Sequence, residues 1–140
     1  MKPAILPKYL FLFWFGGSTY VTLEVLWRGY SHWTMLLLAG TVFIAIGMLN
    51  EVWEWSTSII KQVAVGTVLA TALEFITGCI VNLWLGWHVW DYSNMWGNIL
   101  GQICPLFTLL WVFVALLAIV VDDIVRWRFF GEDKPHYTLV

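Results

Sequence analysis

The sequence predicts an all-α, polytopic membrane protein folded as a four-transmembrane-helix up-down bundle. Composition is the first reason: 61% of the 140 residues are hydrophobic and only 11% are charged, with a mean hydropathy of +0.79. A soluble domain carries roughly 45–50% apolar and about 25% charged residues. Second, four apolar runs reach the about 20 residues that one bilayer crossing requires. Third, the chain holds eleven tryptophans, a residue that favours the membrane–water interface. Residues 1–140 therefore read as one transmembrane domain in a lipid bilayer, with almost no soluble mass. The net charge of −2 matters less than where the charges lie. No basic patch suited to nucleic acid is present, so such a partner is not expected.

The first span is expected from about Tyr9 to Trp27, after the helix-blocking Pro7. The opening MKPAILPKYL shows no small-residue cleavage site behind a short apolar stretch, so this helix is expected to be retained. The second runs from about Trp33 to Asn50, the third from Ile59 to Leu85, and the fourth from Asn98 to Val121. A short cytoplasmic tail, 122–140, should follow. Unpaired backbone groups are too costly in lipid, so each span must be helical. Short connections at Arg28–His32 and Glu51–Ser58, and a longer one at Gly86–Gly97, make consecutive helices antiparallel neighbours.

An even number of crossings puts both termini on one side. That side collects Lys2, Lys8, Lys61, Arg126, Arg128 and Lys134, against Arg28 alone on the other. The positive-inside rule makes it cytoplasmic, which implies a multi-pass protein of a bacterial cell membrane with the loop of Trp87, His88, Asp91 and Asn94 facing outward. Trp27, Trp33, Trp84, Trp87 and Trp90 then mark the outer boundary, and Trp53, Trp55 and Trp127 the inner one, with Trp14 a little deeper. Trp111 falls near mid-span, where an indole N–H needs an acceptor. Glu74 is the candidate.

Glu74 is the most informative residue. A carboxyl in the middle of a span costs about 2.5–3.5 kcal/mol on insertion scales and should face protein or water. Thr67, Thr71, Gly78 and Asn82 lie at helical spacing around it. Such a stripe either glues helices together, with Glu74 protonated and hydrogen-bonded, or lines a cation or proton path. Asn98, Gln102 and Thr108 are expected on the fourth helix, where Pro105 can bend it. Glu24 and Arg28 are spaced as an orienting ion pair. Asn50, Glu51 and Glu54 read as solvated interfacial groups. A shift of 50 residues superposes Gly16 on Gly66, Leu23 on Leu73 and Glu24 on Glu74, a faint parallel repeat.

His88 and Asp91 could shape the outer mouth, but complete zinc-ligand spacings are missing, so no metal is expected. Cys79 and Cys104 lie at similar depth and read as packing residues rather than a disulfide. There is no nucleophile turn, HExxH run or GxxxxGK[ST] loop. Enzymatic activity and cofactors are therefore not expected.

The stretches WRGYSHWTM, IGMLNE, EFITGCIVNLWLGWHVWDYSN, NILGQIC and FGEDKPHY resemble the small integral membrane proteins of Gram-positive bacteria grouped as ABC-transporter permeases (the CmpB, type IV group). The resemblance covers Gly16 to Tyr137. It implies a transport role, and it implies functional weight at Glu24, Arg28, Glu51, Glu74, Asn82, Asp91, Tyr92, Asn98 and Gln102. The short second loop leaves little room for the coupling helix of a typical importer permease.

Two function classes follow. The first is a small transport or channel-like protein acting as a homo-oligomer, a dimer or larger. Glu74 would be its cation or proton site, with Thr71, Asn82 and Gln102 as polar lining and Glu24, Asp91 and His88 toward the mouth. The second is a non-catalytic accessory or scaffold subunit of a larger membrane complex, with a phage-type membrane-permeabilising protein as a variant.

Overall fold

The computed structural model describes residues 4–140. Lys2, counted above for orientation, lies outside the described residues. Helix α1 spans Ile5–Arg28. It begins before Pro7 rather than after it, because an N–H in the first helical turn has no intrahelical partner to lose. Gly29 ends it in the left-handed region at φ 83°, returning its N–H to Val25 O. His32 caps α2 (Trp33–Gly47) by accepting from Thr34 N–H at 3.3 Å. After Met48 a single further turn, α3 (Leu49–Val52), completes the second span. Ser58 caps α4 (Ile59–Gly78), accepting from Lys61 N–H at 3.1 Å.

Beyond Gly78 the third span widens into a π-helix, Cys79–Trp84. The fourth span, α5, runs Pro105–Phe130. Its start corrects the expected position near Asn98. Pro105 occupies the first turn, where its fixed φ suits a helix start, so it opens α5 instead of bending it. Asn98 and Gln102 consequently belong to a long loop, and only Thr108 is on the helix. The end is also later than Val121. Residues 122–130, expected in a tail, continue the helix because Asp122 and Arg126 pair one turn apart.

Among the described residues four helices are long and apolar enough to cross a membrane: Ile5–Arg28, Trp33–Val52, Ile59–Trp84 and Pro105–Phe130. No strand occurs among the described residues. Helix α1 packs mainly on α2, α4 mainly on α5, and α2 lies between the two pairs. Glycine permits the first contact. A Cβ on Gly40 would stand 2.8 Å from Phe13 O, and one on Gly17 2.5 Å from Leu36 O. Such close backbone approach replaces the hydrophobic drive that lipid does not supply.

The core runs through Met35, Leu38, Val42, Ile46, Ala70, Trp111, Ala115 and Ile119. Outward-facing leucines and phenylalanines such as Leu26, Leu117 and Phe113 are exposed, as lipid contact requires. One end of the bundle carries the start of α1, the α3–α4 connection and the C-terminal segment, joined where Ile59 N–H meets Thr138 O at 2.8 Å. We call it the terminal end. The opposite, loop end carries Arg28–His32 and residues 85–104. There Trp27, Trp84 and Trp96 are 80–89% exposed, as interfacial tryptophans should be.

Candidate functional site

The buried face of α4 presents Gln62, Gly66, Ala70, Glu74 and Gly78 in succession. Glu74 is 5% exposed. Its Oε2 accepts from Trp111 Nε1–H on α5 at 2.8 Å, the pairing expected from the sequence. Its Oε1 accepts from the Tyr92 hydroxyl at 3.1 Å. Both partners are neutral donors, so the carboxyl is held without a counter-cation. Tyr20 of α1 also packs on this core.

Tyr92 reaches Glu74 because residues 85–104 fold back over the loop end. The π-helix begins this return, with Trp87 N–H donating to Val81 O at 2.8 Å. Asn82, turned inward, accepts from Val89 N–H at 2.7 Å and donates to Gln102 Oε1 at 2.8 Å. Gln102 in turn donates to Leu100 O at 2.9 Å and accepts the Trp90 indole N–H on its carbonyl at 3.0 Å. Gly78 leaves room for this, since a Cβ there would lie 2.5 Å from Gln102 Oε1. Tyr92 stacks flat on Phe107, with centroids 4.5 Å apart and planes 7° from parallel. Burial, reinforced by the adjacent Glu74 carboxyl, raises its phenol above the ordinary 10.0. We call this returning loop the plug; the side-chain amides of Asn82 and Gln102 meet its Val89 N–H, Trp90 N–H and Leu100 O.

The remaining expected residues separate into groups. Thr71 lies one turn from Glu74, half-buried, with its Oγ1 shielded and unpartnered. Asn82 and Gln102 join the site as the scaffold of the plug. Glu24 accepts from Tyr20 and Ser31 hydroxyls at 2.8 Å and pairs with Arg28 at 3.0 Å. Its environment differs from that of Glu74, so the superposition of the two by a 50-residue shift has no counterpart in their contacts. Asp91 and His88 are exposed on the plug's outer face. Ser93 donates its hydroxyl and N–H to Asp91, which holds that carboxyl below the ordinary 3.8. Asn98 braces the loop internally, donating to Met95 O at 2.9 Å and accepting from Gly101 N–H at 3.0 Å. Cys79 and Cys104 are free thiols, half-buried and buried respectively. Among the described residues no cluster of His, Cys, Asp or Glu could hold a metal ion.

A second buried polar cluster, at the terminal end, escaped the sequence reading. Asp122, Asp123 and Arg126 are 0%, 4% and 2% exposed. Arg126 donates to Asp122 Oδ2 at 2.7 Å and to Glu51 at 2.8 Å, while Lys8 pairs with Glu132. Asp123 accepts from Tyr137 at 2.7 Å and from Asn50 at 2.5 Å. Asn50 and Glu51 are thus tied into the cluster, although Glu51, like Glu54, remains exposed to solvent as expected. The signal that could have found it is the Asp122–Arg126 spacing together with the aromatic end of FGEDKPHY.

The family model described as "Putative ABC-transporter type IV" (CmpB) matches residues 9–132. Comparison with the curated proteins and with the solved structures finds no match. Four spans, an intramembrane carboxyl under a folded loop and this match over nearly the whole chain lead to one assignment: it is a multi-pass, transport-related membrane protein belonging to the CmpB family of ABC-transporter type IV proteins.

Proposed function

We propose that the protein is a non-enzymatic transport or channel-like subunit in which Glu74 carries a proton or a monovalent cation. One observation supports this above others: the carboxyl is buried within a candidate membrane span, and among the described residues its only partners are the neutral donors Trp111 and Tyr92. An ionisable group there costs several kcal/mol unless it has a use or a partner charge. Tyr92 belongs to the plug and not to a spanning helix, so movement of the loop would uncover Glu74 from the loop end. Thr71 offers an unspent hydroxyl one turn deeper. Glu24, Asp91 and His88 give that end an acidic and titratable approach.

The distribution of Lys and Arg supports a cytoplasmic terminal end in a bacterial cell membrane, with the plug outside. Four helices enclose no wide pore, so the working unit is a homo-oligomer. The outward face of α1 supports this, because Ser18, Thr19 and Thr22 are exposed there in a groove beside Trp14 and Leu23. Hydroxyls on a lipid-facing helix are ordinary at helix–helix contacts. The same face would equally suit a larger membrane partner, as the accessory-subunit reading requires.

Proteoliposomes separate these readings. Under a proton or cation gradient, wild-type vesicles should conduct, Glu74→Gln vesicles should not, and Tyr92→Phe vesicles should conduct faster. Equal flux in wild type and Glu74→Gln removes the role given to this acid. No flux from wild type, with a second membrane protein co-purifying in mild detergent, favours the accessory subunit.

A further inference from the structure

The terminal-end cluster holds an imbalance. Its carboxyls are Glu51, Asp122, Asp123 and Glu132, and its cations are Lys8 and Arg126. Tyr9 adds a neutral ring and hydroxyl beside Arg126, and Tyr137 a neutral donor. Helix α4 contributes no charge here, since Lys61 turns away to Trp53. Among the described residues four acids therefore face two bases, around an Asp122 that is fully shielded.

The unpaired atoms match that deficit. Asp122 Oδ1, Asn50 Oδ1 and Gln62 Oε1 are buried acceptors without donors, and Arg126 Nη2 is a buried donor that reaches none of them. Helix register brings their residues to one turn of the bundle. A Cβ on Gly66 would touch Ala115 and Ile46. One turn nearer the terminal end, α4 presents Gln62, α5 presents Ile119 and Asp122, and the α2–α3 junction presents Gly47 and Asn50. Gly47 lies directly beneath the Asp122 carboxyl, which any larger residue would displace. Three oxygens from three helices, one formally charged and two amide carbonyls, thus lie at one level of the bundle, and none of them is met by a hydrogen, the unpartnered Arg126 Nη2 included. Hard cations take such ligands.

We propose that Asp122, Asn50 and Gln62 form a second small-cation site, occupied by a sodium ion or by a proton on Asp122. It is distinct from Glu74 and sits at the opposite end of the bundle. Arg126 does not fill it, because its Nε and Nη1 are committed to Asp122 Oδ2 and Glu51.

The purified full chain in lipid nanodiscs allows the test. Melting is followed in sodium chloride against choline chloride at equal ionic strength, and pH-difference infrared spectra are recorded for protonated carboxyl C=O. A sodium occupant raises the wild-type melting temperature in sodium only, and Asp122→Asn abolishes the rise. A proton occupant gives a carboxyl band that disappears in Asp122→Asn. Should that variant not fold, Gln62→Leu keeps every charge and removes one oxygen. It should weaken the sodium response roughly tenfold, the lower range for losing a supporting group at an ion site, or shift the carboxyl band. A wild-type protein with neither a sodium-specific rise nor a carboxyl band altered by Asp122→Asn or Gln62→Leu overturns the proposal and leaves only ordered water at these oxygens.

Discussion

Glu74 and Trp111 show how much can rest on one side-chain pair. Among the described residues the indole is the only donor to Glu74 Oε2, and both residues are buried. Trp111→Phe keeps an aromatic ring but leaves a buried acceptor unmet, a loss of about 1–3 kcal/mol. Unfolding in mixed micelles should show that loss in wild-type background and a smaller one when Glu74 is already Gln. Equal losses in both backgrounds would mean the two side chains are not coupled. This pair was legible from sequence, because a lone mid-span carboxyl and a lone mid-span indole each lack any other obvious partner. Tyr92 was not assigned to Glu74 in that way, since nothing in the spacing of a loop tells how far it returns. Its phenol supplies a pH test with a definite sign. The folded value is raised above 10.0, so its stabilising contribution is complete below that pH and is lost as pH climbs through the folded value. Folded protein brought to about pH 11, beyond the ordinary tyrosine range, should show the same phenolate absorbance in wild type and Tyr92→Phe. A smaller amplitude in the variant would show that Tyr92 ionises like an exposed tyrosine.

Among the elements, the four spans could be read directly from apolar run length, while their ends could not. Pro7 and Pro105 both sit in first turns, where proline is harmless, although each reads in the sequence as an interruption. The charges from Asp122 onward read as the end of a span, yet their mutual pairing keeps α5 helical as far as Phe130. The plug was hidden for another reason. Its path depends on the π-helix and on left-handed backbone at His88 and Leu100, with φ of 50° and 53°, conformations that such residues adopt only under surrounding constraint. Asn82 supplies much of that constraint. Asn82→Leu removes the acceptor for Val89 N–H and the donor for Gln102 at once. Hydrogen exchange at Val89 should accelerate by roughly 5- to 150-fold, equivalent to about 1–3 kcal/mol, while amides of α2 and α5 stay protected. Uniform acceleration through the bundle would instead make Asn82 a global rather than a local support.

At the scale of the whole molecule, the two polar stations are separated by a mainly apolar layer. Gln62 and Glu74 lie twelve residues apart on one face of α4, about 18 Å at 1.5 Å per residue. Between them Ile46, Ala70, Ala115 and Ile119 are at most 1% exposed. Within this layer Thr67 donates to Val63 O at 2.8 Å and Thr71 Oγ1 is unpartnered, so among the described residues no continuous chain of side-chain donors and acceptors crosses it in this conformation. Passage from Glu74 to the terminal end thus requires α4 and α5 to separate, or an oligomer contact to part them. Ala70, fully enclosed, reports on that event. A single cysteine at this position, in a protein with Cys79→Ser and Cys104→Ser, should resist a charged thiol reagent from both sides of the membrane in the resting state. Under a driving gradient that supports flux, labelling should accelerate, and Glu74→Gln should return it to the resting rate. Labelling at the rate of an exposed control such as Thr22→Cys, with no gradient applied, would mean the layer is already wet and the two stations already communicate.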